Sequence, residues 1–319
     1  MPRKFLLLVL YLCCLIAEAA LAQVSDPILV GVGRDPKWSP SETSISLIRN
    51  DTLYVTRLDS AHETHAIHRG PIFKYEWLDD STLVTHEQRY ADAKDATRPY
   101  ESIVRVSLSA KATVLASDDP KAPGRERREL RLMKFGDGSV GYFDDLNGQD
   151  QIVKLSKAGI ADTTLPTQPS WLSVGTVPIS RGKVWLYNGL KDSGRQITMS
   201  DNYYQEPHLA PTGDKIFCLA DRGDLVVFDT FGKELANLGP GDMARWDSKG
   251  QYIVFCQTEW SDAGIEKSDI FLSRYDGTET VQLTATPDVI EVGAAFSPSS
   301  RYMIYSNERT GAIYVAKVR

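Results

Sequence analysis

The sequence predicts an all-β fold built from repeated four-stranded units, and three observations support this prediction. A large apolar residue, a polar turn and an apolar strand recur along the chain, most clearly in WSPSETSISL, LAPTGDKIFC, WDSKGQYIVF and FSPSSRYMIY. Successive copies are spaced by roughly forty residues. No amphipathic helix of ordinary length interrupts them. Repeats of this length with four short strands are typical of the blades of a β-propeller.

Each copy of the pattern has an anchor, the apolar residue expected to end its first strand. The anchors are Trp38, Trp77, Leu132, Trp171, Leu209, Trp246 and Phe296. A second pair of strands is expected behind each anchor, most clearly in DIFLSRYDGTETVQLT. We therefore expect seven four-stranded blades. Six remains the alternative if the weaker copies around Leu132 and Trp171 merge into one.

The last copy is one strand short, because only three strands are apparent between Gly293 and Val318. The apolar stretch Ile28–Val32 precedes the first anchor and has no partner within its own copy. Propellers commonly close when a strand from the N-terminal end of the chain completes the last blade. An unpaired edge would favour aggregation. We expect Ile28–Val32 to pair with Ala312–Val318 and complete the last blade.

The combination of an SPxG-like turn with DIFLSRYDGTETVQLT resembles the repeat of the TolB-type propellers, relatives of the WD-repeat family. The resemblance spans nearly the whole chain after residue 22. It is specific around Trp38, Leu209, Trp246 and Phe296, and loose elsewhere. Gln23 leads almost directly into a strand, so the α/β domain that precedes the TolB propeller is expected to be missing. The resemblance implies a partner in the cell envelope, because the TolB propeller docks a peptidoglycan-associated lipoprotein.

The first residues are expected to be a secretory signal peptide. MPRK is basic, an apolar run follows from Phe5 to Ala17, and Ala20-Leu21-Ala22 fits a cleavage site. We expect cleavage after Ala22, residues 23–319 to form the propeller domain, and a periplasmic or secreted location. No membrane insertion is expected after cleavage. A lipoprotein signal is disfavoured by the bulky Tyr11 and Leu12.

Net charge limits the classes of partner that are expected, and cysteine content limits the disulfides that are expected. The chain has a formal net charge of −6, which disfavours binding to nucleic acid or anionic lipid. Beyond residue 22 only Cys218 and Cys256 remain, so no disulfide framework is expected. Their positions relative to Ile216 and Ile253 predict that the two thiols face opposite sides of their strands. We expect a monomer.

The long connections between strands are all expected on one side of the disc, here called the long-loop face. They are His86–Glu101, Ser117–Glu129, Thr198–Pro207, Gln257–Ser268 and Thr284–Glu291. Function commonly lies on long loops, and exposed aromatic and arginine side chains commonly anchor interfaces. The candidate binding residues are Arg89, Tyr90, Arg98, Tyr203, Tyr204, Trp260 and Arg309. Some of them are alternatively expected to pack the loops onto the disc.

No catalytic residue, metal site or cofactor is predicted. The chain lacks a G-x-S-x-G elbow, an H-E-x-x-H helix and a Walker loop. His62, His65 and His68 would not share one face of a strand, and His208 alone is too little for a channel metal. The sequence favours an exported, non-catalytic propeller that binds an envelope protein or glycan. The alternative is a small enzyme of lactonase or polysaccharide lyase type at the channel mouth.

Overall fold

A computed structural model describes most of the chain after the predicted signal peptide. The described residues are 25–59, 63–90, 99–118, 128–134, 139–146, 149–156, 159–164, 179–180, 182–186, 194–221 and 223–318. Within these ranges the regular elements are all β-strands. The predicted signal peptide, Trp171, His62 and Arg98 lie outside the described residues.

The strands follow one another as short antiparallel runs. In chain order they are β1 (Ile28–Val32), β2 (Arg34–Trp38), β3 (Ser44–Arg49), β4 (Thr52–Arg57), β5 (Thr64–Arg69), β6 (Ile72–Asp79), β7 (Thr82–Arg89), β8 (Tyr100–Ser107), β9 (Ala112–Ser117), β10 (Arg128–Lys134), β11 (Val140–Leu146), β12 (Gln149–Ser156), β13 (Gly159–Thr164), β14 (Ile179–Ser180), β15 (Lys183–Leu186), β16 (Arg195–Gln196), β17 (Tyr204–Leu209), β18 (Lys215–Ala220), β19 (Asp224–Asp229), β20 (Glu234–Pro240), β21 (Asp242–Trp246), β22 (Tyr252–Ser261), β23 (Gly264–Arg274), β24 (Thr280–Gln282), β25 (Glu291–Phe296), β26 (Tyr302–Asn307) and β27 (Ala312–Lys317).

The described strands form seven antiparallel sheets, which we number in chain order. Sheet 1 contains β2–β5, sheet 2 β6–β9, sheet 3 β10–β13, sheet 5 β17–β20 and sheet 6 β21–β24. Sheet 4 has three described strands, β14–β16. Sheet 7 has the order β1-β27-β26-β25, so its fourth strand comes from the other end of the described chain.

The register between the first two strands explains the sequence repeat. Trp38 lies opposite Ile45, Leu209 opposite Ile216, Trp246 opposite Ile253, and Phe296 opposite Met303. The anchor and the apolar residue seven positions later are therefore a cross-strand pair that brackets a tight turn. Trp77 lies opposite Leu83, which matches the shorter turn of that copy.

The sheets are held together by hydrophobic clusters between neighbours. Six clusters of described residues join sheets 1 and 2, 2 and 3, 4 and 5, 5 and 6, 6 and 7, and 7 and 1. First strands of successive sheets also contact each other, as β2 does β6 and β21 does β25. Sheets stacked face to face, with contacts between their first strands, are the arrangement of a β-propeller.

The side of the molecule opposite the long-loop face, here called the short-turn face, is joined by hydrogen bonds between turns. Asp80 Oδ1 accepts from Ser41 N at 2.7 Å, between sheets 1 and 2. Ser300 Oγ accepts from Ser248 N at 3.1 Å, between sheets 6 and 7. The carboxylate of Glu42 accepts from both the backbone N–H and the hydroxyl of Ser299, which links sheet 1 to sheet 7. The polar turns of the repeat therefore bind each other across the sheet boundaries.

Strand β1 lies where its sequence predicts, beside β27. Leu29 is paired with Tyr314 and Val32 with Ala312. The pairing continues beyond β1, because Ser25 N donates to Lys317 O at 2.9 Å. Val30 is the buried side chain of this strand and packs in the cluster between sheets 7 and 1.

Candidate functional site

The most prominent feature of the long-loop face is a two-stranded hairpin in sheet 6. The segment Gln257–Ser268 was expected to be a loop, but β22 and β23 remain paired as far as Ser261 and Gly264. The first strand of the sheet pairs with β22 only up to Cys256, and β24 pairs with β23 only from Phe271 to Ser273. Residues 257–268 therefore extend past both neighbouring strands. We call this segment the arm.

Trp260 lies on the arm and is 64% exposed. A β-bulge between Glu259 and Trp260 shifts the register at this point, so that Trp260 lies opposite Ile265. Bulges re-aim a side chain relative to the regular alternation of a strand. The exposed indole is therefore carried by a hairpin whose two strands are hydrogen-bonded to each other.

The other predicted binding residues divide into exposed and buried groups. Tyr90 and Tyr203 are 63% and 51% exposed, and Arg89 and Arg309 are exposed as well. Tyr203 packs over Gly182, where an added Cβ would lie 2.2 Å from the tyrosine ring. All four lie on connections or strand ends of the long-loop face.

Tyr204 does not belong to an accessible surface. Its side chain is buried in the cluster between sheets 4 and 5, where its ring packs edge-on against Phe228. Its hydroxyl lies 2.8 Å from Ser200 Oγ. Tyr203 lies just before the first residue of β17 and is exposed, so the two adjacent tyrosines differ in burial.

Carboxylates surround the base of the arm. Asp242, at the start of β21, accepts a hydrogen bond from Thr258 Oγ1 at 3.0 Å. Partial burial raises the pKa of Asp242, hydrogen bonds from Thr258 and Trp260 lower it, and the negative charge of Glu206 raises it. Trp260, Asp242 and Glu206 are therefore close enough to influence one another.

Two further carboxylates of sheets 6 and 7 are buried near the same end. Asp269 forms an ion pair with Lys267 through Oδ2 at 3.2 Å, while its Oδ1 has no hydrogen-bond partner among the described residues. Glu291 accepts from Thr286 through Oε1, and within the described part of the chain its Oε2 has no partner. Burial raises the pKa of Glu291, and the charge of Asp269 adds to that effect.

The first strands share a backbone distortion that the sequence analysis missed. Asp35, Glu206, Met243 and Gly293 each lie three residues before an anchor, each has a positive φ, and each falls within a register shift. Three of the four are not glycine, so no residue type signals the bulge. The position relative to the anchor is the only sequence signal.

His208 lies on a first strand, as expected, but in a setting that disfavours its protonation. Its ring packs against Phe217, with centroids 4.9 Å apart. Burial, together with the positive charge of Arg245, lowers the pKa of His208 to about 4. Among the described residues, no three His, Cys, Asp or Glu side chains are grouped so that they could hold a metal ion.

The surroundings of His65, His68 and the two cysteines do not indicate a reactive site. His68 Nε2 lies 2.5 Å from Glu87 Oε1, which joins sheet 1 to sheet 2, and His65 is exposed beside Glu63. Cys218 and Cys256 are free thiols in separate clusters, Cys218 between sheets 4 and 5 and Cys256 between sheets 6 and 7. Burial raises the pKa of these thiols to about 12 and about 11, so neither is an activated nucleophile.

Comparison with known proteins gives a likeness of fold only. No family model matches the chain, and no curated protein matches it by sequence. Among solved structures, the chain is similar to the β-propeller domain of Cps50 (Swd1) from Myceliophteria thermophila, with 10% identity and a TM-score of 0.48. The match covers 93% of this chain and 100% of that domain. A likeness of this degree says nothing about what the chain binds. In the described part of the chain, no helix is long and apolar enough to cross a membrane.

Proposed function

We propose that this protein is an exported, non-catalytic propeller that binds a protein or glycan of the cell envelope through its long-loop face. The observation that carries the proposal is the set of large aromatic side chains exposed there: Tyr90, Tyr203 and Trp260. Exposed aromatic side chains are frequent anchors of interfaces. Arg89 and Arg309 add charged groups suited to the rim of such an interface.

The contrast between the two faces supports this choice. On the short-turn face, Ser41, Glu42 and Ser248 already bind turns of neighbouring sheets. These polar groups hold the sheets together and are less free to recognise a partner. On the long-loop face the arm extends beyond the strands that flank it, and the framework does not need that extension.

We further propose that the seven sheets are seven blades of one closed ring, with β1 as the outer strand of the last blade. In this proposal the chain is TolB-like, residues 1–22 are a cleaved signal peptide, and the mature protein is a periplasmic or secreted monomer. The repeat of the register at four anchors and the pairing of β1 with β27 support the ring.

The enzymatic alternative has less support. A channel-mouth enzyme would need converging acids, bases or metal ligands. Asp242 and Glu206 do interact near one end of the first strands. His208, however, is packed against an aromatic ring and its pKa is low. Asp242 and Glu206 alone, without a grouped third ligand in the described ranges, do not favour a reaction over binding.

The test is capture from an envelope extract by the immobilised mature protein. A Tyr90→Ala/Tyr203→Ala/Trp260→Ala variant should lose capture and keep its melting temperature, because all three side chains are exposed. The matched control is Phe231→Ala, since Phe231 is 77% exposed on the short-turn face. Undiminished capture by the triple variant would refute binding through the long-loop face.

Export is tested separately by expressing the full chain in a bacterial host. The expected product is a periplasmic or secreted protein whose N-terminal residue is Gln23. A cytoplasmic product that retains Met1 would contradict the proposed signal peptide. This outcome would leave the proposed binding face untouched.

A further inference from the structure

The sector of the long-loop face around the arm is strongly acidic. Exposed or half-buried carboxylates there belong to Glu206, Asp242, Glu259, Asp262 and Glu266. The positive charge of Lys267 is engaged, because Lys267 lies 3.2 Å from Asp269 and 4.0 Å from Glu259. An exposed indole therefore lies among carboxylates whose charge is largely uncompensated.

Two buried carboxylates lie at the base of the arm. Asp269 Oδ1 and Glu291 Oε2 are buried and have no hydrogen-bond partner among the described residues. Buried carboxylate oxygens are normally satisfied by donors or by positive charge. The base of the arm therefore has two buried acceptor atoms without a donor among the described residues, in addition to the exposed carboxylates around it.

Three arginines are exposed on the other side of the long-loop face. Arg49, Arg69 and Arg89 are exposed at the ends of strands in sheets 1 and 2. Among the described residues the exposed Asp51 also lies there, but the arginines outnumber it, and we call this region the basic sector and the surroundings of the arm the acidic sector. A uniformly charged partner would be attracted to only one of them.

We propose that the arm and its acidic surroundings bind an extended, lysine- or arginine-rich segment of another protein; this rests on the proposed function and names the partner's chemistry. The Trp260 indole would receive a cationic side chain on its face, as aromatic rings do for ammonium and guanidinium groups. Glu206, Asp242 and Glu259 would supply the complementary charge. The outer edge of β23 between Gly264 and Lys267, which β24 does not cover and whose residues are exposed or half-buried, gives an extended segment backbone to pair with.

The test uses a fluorescent peptide of alternating lysine and serine and its counterpart of alternating glutamate and serine. We expect the mature protein to bind the lysine peptide at low salt, more weakly at physiological salt, and not to bind the glutamate peptide. Trp260→Ala should weaken the binding about tenfold. Glu206→Gln/Glu259→Gln should weaken it and reduce its dependence on salt.

Matched controls come from the short-turn face. Phe231→Ala and Glu234→Gln remove an exposed ring and an exposed charge far from the arm, and binding should be unchanged. Trp260→Phe, which retains an aromatic face, should keep most of the affinity and show that loss in Trp260→Ala is not misfolding.

Three results would overturn the inference: no binding of the lysine peptide at low salt, equal binding of both peptides, or equal affinity of wild type and Trp260→Ala. If envelope capture still requires Tyr90, Tyr203 and Trp260 in that case, the proposed function stands and only the chemistry of the partner is wrong. A dimer at low salt that is lost in Glu206→Gln/Glu259→Gln would identify a second copy, through its basic sector, as the occupant instead.

Discussion

At the scale of single residues, two of the tryptophan anchors form hydrogen bonds to the neighbouring sheet as well as filling space. Trp246 Nε1 donates to His208 O at 3.0 Å, and Trp77 Nε1 donates to Lys37 O at 3.3 Å. In both cases the acceptor is the residue before the anchor of the preceding sheet. Trp38 differs, because its Nε1 has no hydrogen-bond partner within the described residues.

This difference gives a matched pair of substitutions. Trp246→Phe should lower the free energy of unfolding by about 1–2 kcal/mol beyond the loss of ring area, because His208 O loses its donor. Trp38→Phe removes a donor that is already unsatisfied, so it should cost less than Trp246→Phe. Urea denaturation of the two variants measures the difference. Equal losses would show that the inter-sheet hydrogen bond does not stabilise the fold.

His208 predicts a dependence of stability on pH. Its pKa is lowered from the ordinary 6.5 to about 4, so the folded protein favours the neutral ring. Stability from this group is complete above pH 6.5 and is lost as the pH falls through about 4, by up to about 3 kcal/mol. His208→Gln cannot titrate and should flatten the curve of unfolding free energy against pH in that window. An unchanged slope in the variant would contradict this account.

The sequence predicted the positions of the anchors better than it predicted the orientations of individual side chains. The pairing of Trp38 with Ile45 follows from a seven-residue spacing around a tight turn, which is local information. The orientation of Tyr204 could not be predicted in the same way, because one residue of register decides which face a side chain occupies. The bulges at Asp35, Glu206 and Met243 carry no residue type that marks them.

At the scale of elements, β1 is attached by its backbone and by one side chain. Val30 is 6% exposed, whereas Leu29 is 57% exposed. Gly33 just after the strand lies so close to sheet 1 that an added Cβ would be 2.5 Å from Ile48 O. The strand therefore belongs to sheet 7 by hydrogen bonding and contacts sheet 1 by packing.

We expect Val30→Ala to lower the free energy of unfolding by about 2 kcal/mol, because it removes buried apolar area between sheets 7 and 1. Leu29→Ala, one residue away on the exposed side, should change it by less than about 0.5 kcal/mol. Thermal or chemical denaturation distinguishes the two. Equal effects would mean that β1 does not pack as described.

The arm is an element that could not be predicted from the sequence. Most of its residues are polar, so the alternation of apolar and polar residues that marks a half-buried strand is absent. A two-stranded hairpin of this kind is marginal on its own. It continues here because it extends strands already fixed by the core, which is a tertiary effect.

At the scale of the whole molecule, two of the contacts that join sheet 7 to sheet 1 lie apart from each other. One is β1, paired with β27 and packed by Val30. The other is Glu42, whose carboxylate binds Ser299 across 257 positions of sequence. The sequence indicated the first contact through an apolar stretch without a partner. It gave no sign of the second, because a glutamate in a surface turn is ordinary.

We expect these two contacts to reinforce each other. Glu42→Ala should cost about 1–3 kcal/mol, since it removes two charge-assisted hydrogen bonds. Combined with Val30→Ala, the loss should fall short of the sum of the single losses by more than about 0.5 kcal/mol, because removing either contact already weakens the other. Strict additivity in a double-mutant cycle would show that the two contacts act independently.

The junction between sheets 7 and 1 also determines how the protein would lose its native structure. The surfaces it joins are unlike each other: β27 offers a strand edge, and sheet 1 offers Ile45 and Leu47. If the junction opened while the other sheets stayed packed, each molecule would present two different and complementary ends. Such ends join head to tail without closing, and chains of molecules grow from them. A protein weakened at this junction would therefore accumulate as linear polymers of nearly native subunits before it accumulated as unfolded chains.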